Sequence, residues 1–158
     1  VLDDDYYKRI EAILFTMSHD DGKKVDDIGN ADVILLGVSR TSKTPTSIYL
    51  ANRGYKTVNI PLVLDQKIPN DLTLNKKVCI IGLIADPERL ADIRRNRVAI
   101  MKDHNLKEYT DLDFIKKEVE DSKNLFKKNN WPMIDVTRRS VEETAASILK
   151  IIEIKKNK

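Results

Sequence analysis

Four short apolar runs constrain this chain most, because each is followed by helical signals instead of a tight hairpin turn. They are "ADVILLG" (31–37), "YKTVNIPLV" (55–63), "KKVCIIGLIAD" (76–86) and "MIDVT" (133–137). A run that is apolar at every position suits a strand buried on both faces, as in a parallel sheet covered by helices. Pro61 limits the length of the second run, since proline removes a ladder donor.

The intervening segments read as helices. "DDYYKRIEAILFTMSHDDG" places Tyr7, Ile10, Leu14 and Met17 on one helical face and predicts a leading helix within residues 1–22. "TPTSIYLANRG" has Pro45 in a first turn and Gly54 at a C-terminal cap. "PERLADIRRNRVAIMK" opens after Asp86 and Pro87. "TDLDFIKKEVEDSKNLFKKNN" carries Leu112, Ile115, Val119 and Phe126 at helical spacing and ends in an Asn-Asn-Trp-Pro turn. Residues 140–156 begin with a capping box, Ser140 to Glu143. Strands alternating with helices predict a three-layer α/β domain with a mainly parallel sheet. At 158 residues one such domain, 1–158, accommodates the whole chain.

Composition narrows the function classes. A balance of 28 basic against 25 acidic residues gives +3, too weak for a nucleic-acid surface. No apolar run approaches a membrane span, so no membrane association is expected. The single cysteine, Cys79, provides neither a disulfide framework nor a cysteine metal site, which fits a reducing cytoplasm. It lies inside an apolar run and reads as a small core residue.

The chemistry concentrates in "DVILLGVSRTSKTPTSIYLANRG", 32–54. Gly37, four intervening residues, Ser42, Lys43 and Thr44 follow the frame of the phosphate-binding loop G-x-x-x-x-G-K-[ST], with serine in place of the second glycine. In a parallel α/β domain such a loop leaves a strand at its carboxyl end, where ligands bind. Backbone N–H groups at the start of a helix, aided by its dipole, favour a phosphate. The expected nucleotide-binding residues are therefore Gly37, Val38, Ser39, Arg40, Thr41, Ser42, Lys43 and Thr44. Lys43 would address the terminal phosphates, and Thr44 would ligate Mg²⁺. A side chain at position 42 raises the cost of the backbone conformation that glycine makes cheap there. The competing reading is a plain strand–helix turn.

Three further groups have two readings each. Asp20 and Asp21, beside His19, form a general base for a hydroxyl or an extra Mg²⁺ contact, or else a polar helix terminus. Arg94, Arg95 and Arg97 clamp a transferring phosphoryl group or form a solvated face paired with Glu88 and Asp92. Asp86, ending an apolar strand, is a second Mg²⁺ ligand or the N-cap of the next helix. Trp131 is expected to seal the core edge before the last strand.

The stretch "ADVILLGVSRTSKTPTSIYLANRGYKTVNIPLV" closely resembles the signature of the regulatory proteins of pyruvate, phosphate dikinase and phosphoenolpyruvate synthase. "YYKRIEAILFTMSHDDG", "IIGLIADPERLADIRRNR" and "WPMIDVTRRSVEETAASIL" extend the resemblance over essentially the whole chain. In that family serine commonly precedes the loop lysine, so Ser42 matches the family's own variant.

The resemblance implies a P-loop kinase-like domain and a bifunctional enzyme. One activity uses ADP to phosphorylate a threonine of the dikinase near its catalytic histidine. The other uses inorganic phosphate to remove that phosphoryl group as pyrophosphate. It also implies that family members carry a further N-terminal region, which supports reading this chain as a fragment; separately, a homo-oligomer is open to it. Within it, Asp20 and Asp21 match a "DDG" element, and the arginines of "IRRNR" match a basic helix. The expected catalytic residues are Lys43, Asp20, Asp21, Arg94 and Arg97, with Mg²⁺ on Thr44 and Asp86. Alternatives are the same chemistry on phosphoenolpyruvate synthase, a P-loop small-molecule kinase, a non-catalytic nucleotide-binding module, and an α/β domain whose loop binds nothing.

Overall fold

The computed structural model describes residues 4–18, 30–38, 40–62, 78–101 and 111–156. Four strands lie in them: β1 (Val33–Gly37), β2 (Thr57–Pro61), β3 (Cys79–Ile84) and β4 (Met133–Asp135). Five helices accompany the strands: α1 (Asp4–Ser18), α2 (Lys43–Ala51), α3 (Pro87–Met101), α4 (Leu112–Lys128) and α5 (Val141–Lys156). The sheet order is β2-β1-β3-β4, and every pairing is parallel. The three-layer α/β expectation holds.

Period-two alternation divides the strand side chains between two cores. Val33 and Leu35 of β1, with Ile81 and Leu83 of β3, pack against Leu50 of α2 and Ala145, Ile148 and Ile152 of α5. Ile34, Leu36, Val58 and Ile80 face the other way, onto Phe126 of α4. Trp131 and Met133 border that second core, as expected of Trp131. Cys79 is buried, and that burial pushes its thiol pKa up despite the nearby Lys155 charge. Phe126 reaches the sheet only because position 82 is glycine. A Cβ there would stand 2.4 Å from the ring.

The helix termini follow local rules. Ser140 Oγ accepts from the N–H of Glu143 at 3.1 Å, and the Ser140 N–H donates to Glu143 Oε1 at 3.4 Å, completing the capping box. Asp111 caps α4 by accepting from the N–H of Asp113. Gly54 adopts φ 89° just after α2, and its N–H donates to Ala51 O.

One helix departs from expectation. The face of α1 that carries Tyr7, Ile10, Leu14 and Met17 points to solvent. Ala12 and Thr16 are buried instead. Thr16 Oγ1 accepts the N–H of Thr57, so α1 satisfies a donor at the start of the edge strand β2.

Candidate functional site

The strand order creates a switch point. From β1 the chain proceeds to β2 on one side, and from β3 it proceeds to β4 on the other. Between the carboxyl ends of β1 and β3 the connections diverge, leaving the crevice in which ligands of open α/β sheets bind. The loop from Gly37 to Thr44 occupies this place. Gly37 is held so closely that a Cβ would lie 2.6 Å from Thr41 Oγ1 and 3.0 Å from the Leu83 carbonyl oxygen. Only glycine fits there without displacement.

The loop curls through two left-handed residues, Arg40 at φ 71° and Ser42 at φ 62°. Excursions into that region make successive backbone N–H groups converge on a concave, anion-accepting surface. Thr41 is buried and donates to Val38 O at 2.8 Å. Lys43, only 5% exposed, turns back across the loop and donates from Nζ to the same oxygen at 2.9 Å. Asn59 of β2 donates to Ser47 Oγ at 3.3 Å, fastening the second turn of α2 to the sheet. Thr46 in the first turn is fully buried, and its Oγ1 has no hydrogen-bond partner among the described residues.

The electrostatics of α2 break a rule that the other described helices keep. α1 begins with Asp4 and Asp5, α3 with Glu88, α4 with Asp113 and α5 with Glu142 and Glu143, each acid complementing the positive end of a helix dipole. The first turn of α2 has no acid and starts with Lys43. A negative group placed at this helix start would interact favourably with both the ammonium and the dipole. This combination of glycine, left-handed turns, buried lysine and acid-free helix start suits a phosphate.

The neighbouring strand ends complete the edge. Asp86 follows β3 and is exposed; its Oδ2 accepts from the Arg89 N–H at 3.2 Å, so the N-cap role is realised. Its own N–H donates to Thr137 Oγ1 at 2.8 Å. That hydroxyl donates to Asp135 Oδ1 at 2.5 Å, and the Thr137 N–H reaches the same oxygen at 2.9 Å. Partial burial works to raise the Asp135 carboxyl. The two bonds from Thr137, with Lys123 and Arg139 nearby, outweigh it and hold the pKa below the usual carboxylate range. Among the described residues no group of three or more His, Cys, Asp or Glu is placed to hold a metal unaided.

A family model described as kinase/pyrophosphorylase matches residues 1–149. The chain belongs to this family. A relative from Pelagibacter ubique (strain HTCC1062) is 61% identical over 157 residues, covering 99% of this chain and 57% of its own length. Relatives from Erythrobacter litoralis (strain HTCC2594), at 51% identity, and Caulobacter vibrioides (strain ATCC 19089 / CIP 103742 / CB 15), at 49%, cover 95% and 96% of the chain. They match over 54% and 48% of their own lengths. All three bear the name "Putative pyruvate, phosphate dikinase regulatory protein". The chain thus spans about half the length of the curated relatives it matches.

The remaining candidate residues of this family member divide by location. Arg94 is fully buried and pairs with Glu118 of α4 at 2.7 Å, which joins α3 to α4. Arg95 pairs with Asp92 at 3.4 Å, the solvated arrangement weighed in the sequence. Arg97 is exposed. Asp20, Asp21 and Ser39 lie outside the described residues. Sequence reasoning missed Thr137 and Asp135 as a brace for the edge. The signal was present in "DVT", where an Asp two residues before a Thr can accept its N–H in an Asx turn. It missed Glu118 entirely, because a pairing across 24 residues leaves no local trace.

Proposed function

We propose that this chain carries the phosphate-binding core of a bifunctional enzyme that regulates pyruvate, phosphate dikinase. It would act as an ADP-dependent threonine kinase and as a phosphate-dependent pyrophosphorylase. The observation that supports this best is Lys43, a buried cation at an acid-free helix start beside a loop with two left-handed residues. The donor set suits the ligands: backbone amides and Lys43 for a diphosphate, the Thr44 hydroxyl and the Asp86 carboxylate for Mg²⁺. Magnesium needs only one or two protein oxygens when substrate phosphates and water supply the rest. The ion would neutralise charge on the phosphates.

In the kinase direction the acceptor threonine oxygen forms a bond to the β-phosphorus of ADP, and the bond to the AMP oxygen breaks. Asp20 or Asp21 takes the threonine proton. Arg97 steadies the transferring group, a role that the buried pairing of Arg94 makes less suitable for that residue. In the reverse direction inorganic phosphate attacks the phosphothreonine phosphorus. The threonine oxygen leaves and regains a proton, and pyrophosphate departs. One anion cradle serves both directions, since each places a phosphate beside a phosphoryl group.

The test is to incubate this chain, and separately a full-length relative, with ADP and either the dikinase or phosphoenolpyruvate synthase. Phosphothreonine and AMP are then measured by mass spectrometry. Modification of the dikinase threonine with ADP, and its reversal by phosphate with pyrophosphate release, is the expected result. Transfer from ATP to a small metabolite, with no threonine modified, would overturn the reading.

A further inference from the structure

The leading helix turns its apolar stripe the wrong way for a self-contained domain. At about 100° per residue, Tyr6, Tyr7, Ile10, Leu14 and Met17 fall within an arc of roughly 100°. That is the width of a core-facing stripe, yet every one of the five is exposed, Leu14 by 63% and Met17 by 62%. The opposite side carries the buried Ala12 and Thr16, both small. Besides these, α1 is fastened by the half-buried Phe15, by the Thr16 bond to β2 and by an ion pair from Glu11 to Lys56 at 2.8 Å. Its own domain therefore covers the polar-to-small side of the helix and leaves the large apolar side open. A contiguous stripe of this kind marks an interaction surface.

We propose that this stripe is the seat for the part of the family's polypeptide that the present chain does not span. The Pelagibacter ubique relative matches over 157 of the 158 residues, α1 included, yet those make up only 57% of its length. In that relative a large part of the polypeptide lies outside the matched segment and is available to cover α1. The stripe has the anatomy of an interface core with a charged margin, Glu11 on one side and Arg9 on the other. Pairing of α1 with α1 of a second copy is the weaker fit. Two crossed helices of 15 residues fall short of the roughly 1,000 Å² that a stable specific interface buries. A folded region can enclose all five side chains of the stripe at once.

The test uses a full-length chimera in which this chain replaces the matching segment of the Pelagibacter ubique relative. Hydroxyl-radical footprinting compares side-chain oxidation at Tyr6, Tyr7, Leu14 and Met17 in the chimera and in this chain alone. At least a fivefold fall in oxidation at these positions in the chimera is expected. Leu14→Glu should lower Tm by about 5 °C or more in the chimera and by less than about 1 °C in the isolated chain. Leu14→Ala, a gentler truncation, should show the same ordering if the charge disrupts the chimera outright. Equal oxidation in both proteins, or equal Tm shifts, would overturn the proposal. So would a protected stripe accompanied by a dimer mass in light scattering that Leu14→Glu abolishes, since a second copy would then be the occupant. None of these readouts depends on catalysis, so they stand whether or not the proposed activity is found.

Discussion

Lys43 Nζ and the carbonyl oxygen of Val38 lie 2.9 Å apart, closing the strand–helix loop on itself across five residues. The ammonium group is thereby held inside the loop, at the positive end of α2. Were the proposed phosphate to bind there, such preorganisation would spare the reorganisation that binding otherwise entails.

Replacing Lys43 by methionine keeps the stem and deletes the charge. Under the proposed function, both the kinase and the phosphorolytic rates of the full-length chimera should fall by about 10²-fold or more. Loss of the buried hydrogen bond should also cost about 1 kcal/mol of stability, read by urea unfolding. A variant that lost one activity and kept the other would contradict a shared anion cradle.

Ser42 sits at φ 62°, where a Cβ costs about 1–2 kcal/mol relative to glycine. Ser42→Gly regains that strain but returns about 0.5–1 kcal/mol of unfolded-chain entropy. The net change should be stabilising by about 0–1.5 kcal/mol. Ser42→Val should destabilise, because a β-branched residue resists the left-handed region more strongly. Chemical denaturation of both variants checks the ordering.

At position 82 the fold leaves no room for a methyl group under Phe126. Gly82→Ala should cost about 1–3 kcal/mol by overpacking. The double variant Gly82→Ala/Phe126→Leu should be more stable than the sum of its parts, since the two residues touch. A thermodynamic cycle with strictly additive effects would show that the ring moves aside freely.

The two arginines of α3 should separate in their effects. Arg94→Met strands Glu118 in the α3–α4 interface and should destabilise by about 3–5 kcal/mol. Arg94→Met/Glu118→Leu should recover much of that loss, because two well-packed apolar side chains replace a buried pair. Arg97→Gln, on the exposed side, should change stability by less than about 0.5 kcal/mol while slowing phosphoryl transfer. Unfolding curves and initial rates on the same preparations distinguish the two.

Asp135 gives a pH signature of defined sign. Its carboxyl pKa is depressed in the folded protein, so its contribution is present above the unfolded value near ~3.9 and is lost as pH falls through the lower folded value. Stability below about pH 4 should therefore drop less steeply in Asp135→Asn than in the parent. Thr137→Val, which removes the hydroxyl bonded to Asp135 and Asp86, should flatten the same part of the curve. Identical acid limbs in all three proteins would remove Asp135 from the account.

Much of the fold was legible because its causes are local. The unbroken apolar run "VILLG", the Ser140–Glu143 box and the glycine after α2 act over a few residues, and each is realised where the pattern placed it. The candidate loop was legible too, since Gly37, Lys43 and Thr44 keep a fixed spacing on a strand–helix junction. The left-handed turn at Ser42 was foreseeable from the cost attached to that position. The bracing of Asp86 by Thr137 was not, because those residues meet only when β3 and β4 pair.

By itself the sequence determined the alternation of strands and helices, the caps that end them and the chemistry of the loop, all of which arise from neighbours within a turn or two. Tertiary structure alone decided that Arg94 would meet Glu118 across 24 residues, and that the large side chains of α1 would face outward. Periodicity says that a helix has an apolar face; which side finds a covering surface depends on what the rest of the polypeptide brings against it.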